Sequence, residues 1–323
     1  MSTTTPPLAG RLRALSGLTE PWWRSVLACP ACHTRLDQLA RCGVCGLAFA
    51  SQDGAPALLP SAGEVAVVAF TFPRSRSEKR EEAWATVLRR PPATLDRAGL
   101  PYPMDPAHAS ALAALPAGSS LLEIGCGGGQ VRAWAEDRGL RYLGTDVSKT
   151  RVKRWLREFG GADVIADAHW LPLLDASVDA VYCSGVVEHL ACPVRAAQEV
   201  RRVLRPGGLW LAAASFMEPW HDASHEHLTA YGALELLLDA GLTPRAIFPS
   251  PGWDVLASVP EMAWVGPLRL LGRWASRPLR ALHRAQRWFG RRRARARGIA
   301  EKRSIIGELT TTGAVQWIAE RGR

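Results

Sequence analysis

The chain has 323 residues, of which 47% are hydrophobic and 22% are charged. This length and composition predict a globular protein of more than one domain and exclude a globally disordered chain. No apolar run reaches the roughly 18 residues that a membrane-spanning helix needs, which argues against an integral membrane protein. The first twenty residues lack the apolar stretch of a secretory signal, so the expected location is cytoplasmic. The net charge of +10 is concentrated in residues 269–303, where an anionic partner is expected to bind.

Two cysteine pairs follow a predicted flexible arm at residues 1–21. Cys29, Cys32, Cys42 and Cys45 form a Cys-x2-Cys pair, a gap of nine residues and a second Cys-x2-Cys pair. In a chain without a secretory signal, this spacing predicts a metal site rather than disulfides. Four thiolates leave no open position on Zn²⁺, so the predicted role of the zinc is structural. Residues 22–62 resemble the short zinc-ribbon proteins that activate methyltransferases.

Beyond a predicted connector or cap at residues 63–107, strand and helix patterns alternate. The pattern places strands at 120–124, 141–146, 163–167, 178–184, 209–214 and 313–319. It places helices at 131–138, 150–159, 193–203 and 234–240. Such alternation predicts an α/β domain over residues 108–323, with a parallel sheet and helices on both faces.

A glycine-rich turn follows the first of these strands, in the sequence Glu123-Ile124-Gly125-Cys126-Gly127-Gly128-Gly129. A dinucleotide site prefers glycine or alanine at the next position, which is Gln130 here. Asp146 ends the next strand, where a carboxylate can accept hydrogen bonds from two ribose hydroxyls. Together with Asp167-Ala168, Glu188-His189 and the segment 203–208, this set resembles the class I S-adenosylmethionine-dependent methyltransferases. The likeness is closest to the subgroup that contains quinone-biosynthesis methyltransferases.

The resemblance implies a Rossmann-like, mostly parallel sheet of seven strands and an S-adenosylmethionine-dependent methyltransferase activity. It also implies a role for each matching position. Glu123, Gly125 and Gly127 would line the methionine end of the cofactor, Asp146 would hold its ribose, Asp167 and Ala168 would flank its adenine, and Ser184 would lie beside the methyl donor. The expected acceptor is a small or lipid-linked molecule that is methylated on oxygen. The alternatives are an RNA methyltransferase and a non-catalytic scaffold built from the zinc ribbon and the cofactor fold.

Three histidines follow the fifth predicted strand and are the candidate catalytic residues: His221, His225 and His227. Their spacing among acidic residues suits a general base or a catalytic metal, but it also suits an ordinary polar loop. The neighbouring pair Glu188-His189 is interpreted as a packing and capping feature.

A basic insertion is predicted at about residues 251–310. From Arg269 to Arg291, arginines recur every three or four residues, which places them within a sector of about 80° on a helix. Apolar residues occupy the opposite side. Three interpretations are open for residues 269–297: a helix packed on the domain, a helix on an anionic membrane surface, or a nucleic-acid contact. A helix on a membrane surface would place the otherwise cytoplasmic protein peripherally at the inner membrane surface.

Overall fold

The computed structural model describes residues 21–52, 54–59, 83–84, 86–148, 159–296 and 301–323. Three sequence expectations fall wholly or largely outside these residues. They are the arm at 1–21, the first part of the connector at 63–107 and the helix at 150–159, of which only the last residue is described.

One mixed sheet forms the framework of the described chain. Its strands lie side by side in the order β1-β2-β5-β4-β3-β6-β7-β9-β8. The strands are β1 (Ala50–Gln52), β2 (Ala55–Leu58), β3 (Ser120–Ile124), β4 (Arg141–Asp146), β5 (Val164–Ala166), β6 (Val178–Ser184), β7 (Leu204–Ser215), β8 (Thr243–Pro249) and β9 (Ala314–Glu320). Neighbours from β2 to β7 are parallel, whereas β1 and β9 run antiparallel to their neighbours. The carboxyl ends of the parallel strands therefore meet at one edge, which β8 shares.

Helices connect these strands and cover the two faces of the sheet. They are α1 (Pro106–Ala113), α2 (Val131–Glu136), α3 (Pro193–Val203), α4 (Ala230–Asp239), α5 (Val255–Met262), α6 (Gly266–Ala296) and α7 (Glu301–Leu309). Local sequence explains several of their starts: the side chains of Asp105, Thr229 and Asp254 accept backbone N–H bonds at the beginnings of α1, α4 and α5. No helix in the described ranges is both long and apolar enough to cross a membrane.

The expected strand number, seven, is wrong, because the sheet formed by the described residues has nine strands. Strands β3 to β9 make up seven, and the cysteine segment contributes two more. Ala57 and Leu58 of β2 pair in parallel with Ile165 and Ala166 of β5. The segment thus covers the edge of β5, which would otherwise expose unpaired backbone groups. The sequence pattern gave no sign of this, because β2 pairs with a strand more than 100 residues away.

Two clusters of buried residues lie on opposite faces of the sheet. One contains Trp317, Leu122 and Val181 and extends to Leu27 and Leu58 of the cysteine segment. The other packs α1 and α2 against the sheet. Because a single buried cluster includes residues of both the cysteine segment and the sheet, the two share a core.

Candidate functional site

The glycine turn between β3 and α2 lies at the carboxyl edge of the sheet. Gly125 has a φ of 66°, and a Cβ added there would lie 2.2 Å from Cγ2 of Val186. Gly129 has a φ of 81°, and its Cβ would lie 3.0 Å from the carbonyl oxygen of Gly161. Only glycine fits these two positions without strain, so the turn can pack closely against Val186 and Gly161.

Asp146 lies beside this turn at the end of β4, as the sequence predicts. Its Oδ2 accepts the backbone N–H of Gly127 at 2.9 Å, and its Oδ1 accepts that of Ser148 at 3.2 Å. Burial raises the pKa of Asp146, while these hydrogen bonds oppose the rise. The carboxylate is held in place, and its remaining acceptor positions can bind hydroxyl groups.

Glu123, near the end of β3, is a buried residue. Its side chain is buried, and the hydroxyl of Tyr142 donates a hydrogen bond to its carboxylate. Burial raises the pKa of Glu123 to about 8, although the Tyr142 bond and nearby Arg132 favour the charged form. The structure therefore gives Glu123 a packing partner within the sheet. Its predicted place at the methionine end stays a prediction.

The predicted adenine side is built around a second carboxylate, at the end of β5. Oδ1 of Asp167 accepts hydrogen bonds from Nδ1 of His169 at 2.6 Å and from its backbone N–H at 2.9 Å. Nε2 of His169 in turn accepts the N–H of Cys192 at 3.1 Å. Despite burial, the bonds from His169 lower the pKa of Asp167. Ala168 is buried beside it, and half-buried Ser184 ends β6 at the same edge of the sheet.

The loop after β7 carries the predicted histidines, and two of the three lie together. The ring centroids of His221 and His227 are 5.9 Å apart. Nδ1 of His221 donates to the carbonyl oxygen of Pro219 at 2.9 Å, and Nδ1 of His227 donates to that of Phe216 at 3.1 Å. These bonds fix the tautomers and leave each Nε2 as an acceptor. His225 is exposed, and its backbone N–H, like that of Glu226, donates to the carbonyl oxygen of Glu188.

Glu188 and His189 lie beside the cluster of His221 and His227. From the sequence, this pair is interpreted only as a packing and capping feature. The ring of His189 lies 5.3 Å from that of His221, and the ligand atoms of Glu188, His189 and His221 are all within 4.8 Å of one another. Glu188 is 1% exposed, and its Oε1 accepts a hydrogen bond from Ser215. Within the described residues, Glu188 Oε2 and His189 Nδ1 have no hydrogen-bond partner. Because His221 is more than 30 residues away in sequence, only the fold reveals the group.

The four predicted cysteines also come together, with all sulfur atoms within 4.8 Å of one another. The Sγ atoms of Cys29 and Cys45 are 3.5 Å apart, and those of Cys32 and Cys42 are 3.7 Å apart. Hydrogen bonds from Thr34 lower the pKa of Cys32 to about 6. Four free thiols in one tight group match the donor set of a tetrahedral zinc site.

Comparison with known proteins finds a family match within the sheet domain. Residues 122–212 match the family described as "Methyltransferase domain". This segment begins in β3 and ends in β7, so it includes the glycine turn and Asp146. The fold is Rossmann-like, and its segment from β3 to β7 is similar to a methyltransferase domain. The four-cysteine segment lies N-terminal to it.

Similarity to individual proteins is partial. A methyltransferase of Mycobacterium sp. (strain KMS), uncharacterized, is 37% identical over 95 residues, which are 29% of this chain and 38% of that protein. The 2-methyl-6-phytyl-1,4-hydroquinone methyltransferase of Synechocystis sp. (strain ATCC 27184 / PCC 6803 / Kazusa) is 36% identical over 105 residues, which are 31% of this chain and 33% of that protein. The chain thus spans about a third of the length of these relatives. A solved complex that contains the Trm112 methyltransferase activator of Haloferax volcanii matches with a TM-score of 0.42 and 19% identity, over 67% of this chain and 88% of that one.

Proposed function

We propose that the protein transfers a methyl group from S-adenosylmethionine to an oxygen atom of a small or lipid-linked acceptor. The observation that carries the proposal is Asp146, held by Gly127 at the carboxyl edge of the sheet within the segment that matches methyltransferases. Ligands of open parallel sheets bind at this edge. The matched hydroquinone methyltransferase supports an aromatic or lipid-linked acceptor.

The residues at the edge fit the cofactor. The Asp146 carboxylate suits the two ribose hydroxyls, and the glycine turn allows close approach of the methionine end. S-adenosylmethionine supplies a methyl group on a positively charged sulfur, so the leaving group is already activated. The protein then has to align the acceptor with the methyl group and keep water out.

The acceptor side is assigned to the loop that carries His221, His225 and His227. Nε2 of His221 is left as an acceptor by the Pro219 bond, so it can take the proton of an acceptor hydroxyl. His227 is placed similarly, although its Nε2 lies 3.2 Å from Oγ of Ser224. The exposed side chain of His225 lies outside the cluster of His221 and His227, so substitution of His225 serves as the control for substitution of His221.

A divalent metal is a second way to activate the acceptor oxygen. The unpartnered Oε2 of buried Glu188 and Nδ1 of His189 favour it, because a buried polar atom without a hydrogen-bond partner is costly. Glu188, His189 and His221 would hold the ion, which lowers the pKa of a bound hydroxyl. The bond from His221 to a backbone carbonyl is the usual outer contact of a metal-ligating histidine.

We also propose that Cys29, Cys32, Cys42 and Cys45 hold a structural Zn²⁺. Their sulfur atoms already lie within 4.8 Å of one another, and a metal would fix the loops that carry them. Such sites contribute directly to folding free energy.

Calorimetry with S-adenosylmethionine tests the cofactor assignment. Loss of a charged hydrogen-bond acceptor costs about 1.5–3 kcal/mol, so Asp146→Ala is expected to weaken binding about tenfold to a hundredfold. Asp137→Ala, an exposed acid at the end of α2, is the matched control and should bind like the unaltered protein. Absence of binding, or equal affinity in all three proteins, would refute the proposal.

Transfer of a tritiated methyl group to a cell extract, separated into lipid, RNA and small-molecule fractions, identifies the acceptor class. Label in the RNA fraction alone would replace the proposal with the RNA alternative, and no label in any fraction would favour the scaffold. His221→Asn should lower the rate far more than His225→Asn. If chelation of divalent metal leaves the rate unchanged, the base mechanism holds and the metal mechanism fails.

A further inference from the structure

Helix α6 attaches to the domain by a narrow stripe of small residues. Gly272 packs against α5 and the link that follows it, since a Cβ added there would lie 3.1 Å from Cβ of Pro260 on α5 and 2.1 Å from ring atoms of Trp264 in the link. Ser276 is buried nearby. Several arginines strengthen the attachment. Arg269 and Arg273 pair with Glu261, Arg280 donates to the carbonyl oxygen of Gly252, and Arg287 donates to Thr311.

The large apolar residues of α6 point away from this attachment. We call six of them the apolar face, which covers an arc of about 140° on the helix. They are Leu268, Leu271, Trp274, Leu279, Leu282 and Phe289, and each is more than half exposed. Trp274 is 72% exposed and Leu282 is 67% exposed. Packing the helix on the domain therefore leaves its most hydrophobic side in contact with solvent, which is costly in water.

Positive charge borders the apolar face. The guanidinium of Arg277 lies 5.6 Å from the ring centroid of Trp274, and that of Arg292 lies 4.6 Å from the ring centroid of Trp288. Arg284 is exposed on the same side as Arg277. Arginine side chains with this placement can reach lipid phosphates while neighbouring apolar side chains enter the acyl region.

From this arrangement we infer that α6 binds the surface of an anionic lipid bilayer, with its apolar face inserted and its bordering arginines on the headgroups. Two other occupants fit less well. A nucleic acid would need the arginine side of the helix, but Arg269, Arg273, Arg280 and Arg287 already bind the domain. A second copy joined through the apolar face would bring like-charged arginine borders together.

The position of α6 connects this surface to the proposed site. Gly252, which accepts the Arg280 bond, follows the carboxyl end of β8. On α5, Oγ of Ser258 donates to the carbonyl oxygen of Met217, in the loop that carries the histidines. A bilayer on α6 would thus lie near the edge where the acceptor binds. On the basis of the proposed function, this narrows the acceptor to a lipid-linked molecule that is reached from the membrane.

Vesicle flotation of the full chain tests the inference, with phosphatidylcholine alone or mixed with phosphatidylglycerol. The double variant Trp274→Ser with Leu282→Ser is expected to reduce binding to anionic vesicles about a hundredfold, since burial of each side chain is worth at least about 1.5 kcal/mol. Arg277→Gln with Arg284→Gln should reduce it about twenty-five-fold, at about fivefold per arginine, and weaken the preference for anionic lipid. Gln198→Ser, at an exposed residue of α3 outside this surface, is the control and should bind normally.

Binding to neither vesicle, or full binding by the Trp274/Leu282 variant, would overturn the inference. So would a dimer in solution that the same variant dissociates, because a second copy would then occupy the face. Calorimetry with S-adenosylmethionine keeps this result separate from the proposed activity. The variant should bind the cofactor normally, and vesicle binding is measured without any methyl transfer.

Discussion

The four-cysteine segment and the predicted basic insertion both contact the Rossmann-like sheet domain, but they attach to it in opposite ways. The cysteine segment donates a strand to the sheet and shares its buried core, with Leu58 fully buried where the two meet. The insertion rests on the domain through small residues and arginine bonds, and it leaves its apolar face exposed. The buried leucines of the cysteine segment stabilise the fold, whereas the exposed leucines of α6 can contact a partner.

This difference shows that apolar content alone does not tell whether a segment belongs to the core. Both segments contain leucine and tryptophan. Strand pairing with β5 buries the apolar residues of the cysteine segment. The contact through Gly272 and Ser276 is too narrow to bury the apolar face of a helix as long as α6. The cysteine segment is therefore expected to be part of the folding unit, and the insertion is not.

Removal of the metal should have the largest effect. Cys42→Ser is expected to lose about one zinc per chain and a large part of the folding free energy, because structural zinc sites contribute on the order of 10 kcal/mol to the units that they fold. Elemental analysis and thermal unfolding measure the two losses. Cys192→Ser, at a buried cysteine outside the cluster, should keep its zinc. Equal zinc content in both variants would contradict the site.

Two leucine truncations compare the segments directly. Leu58→Ala should lower the free energy of unfolding by about 2–5 kcal/mol, because it opens a cavity between the cysteine segment and the sheet. Leu282→Ala removes the same atoms from an exposed position and should change it by less than about 0.5 kcal/mol. Urea unfolding gives both values. Similar losses would mean that the insertion is as much a part of the core as the cysteine segment.

The pH dependence of unfolding reports on the sheet itself, and its effect is smaller per pH unit. Burial raises the pKa of Glu123 from 4.5 to about 8, so the folded state holds a proton that the unfolded chain releases in that range. Stability should therefore fall as pH rises from about 4.5 to about 8, by at most about 1.4 kcal/mol per pH unit from this group.

Glu123→Gln should flatten that slope in urea unfolding. If the cysteine segment unfolds together with the sheet, a probe in that segment should report the same dependence of unfolding free energy on pH. Unfolding of α6 alone should not show this dependence. An unchanged slope in Glu123→Gln would mean that Glu123 does not titrate in this range.

The sequence predicted much of the fold because its signals were local. The strand–helix alternation, the glycine turn and the carboxylate at the end of β4 each depend on a few adjacent residues. The two cysteine pairs were equally readable from their spacing. Boundaries were less exact: β7 begins at Leu204, whereas the sequence placed its start after the glycines at 207 and 208, because pairing with Val178 of β6 extends the strand.

By itself, then, the sequence determined the methyltransferase-like sheet edge, the candidate zinc ligands and a helix with one basic and one apolar side. Tertiary structure decided that β2 joins β5, that Glu188 and His189 meet His221, and which side of α6 faces solvent. Each of these depends on contacts between residues far apart in the chain. Local propensity and spacing carry no information about such contacts until the chain is packed.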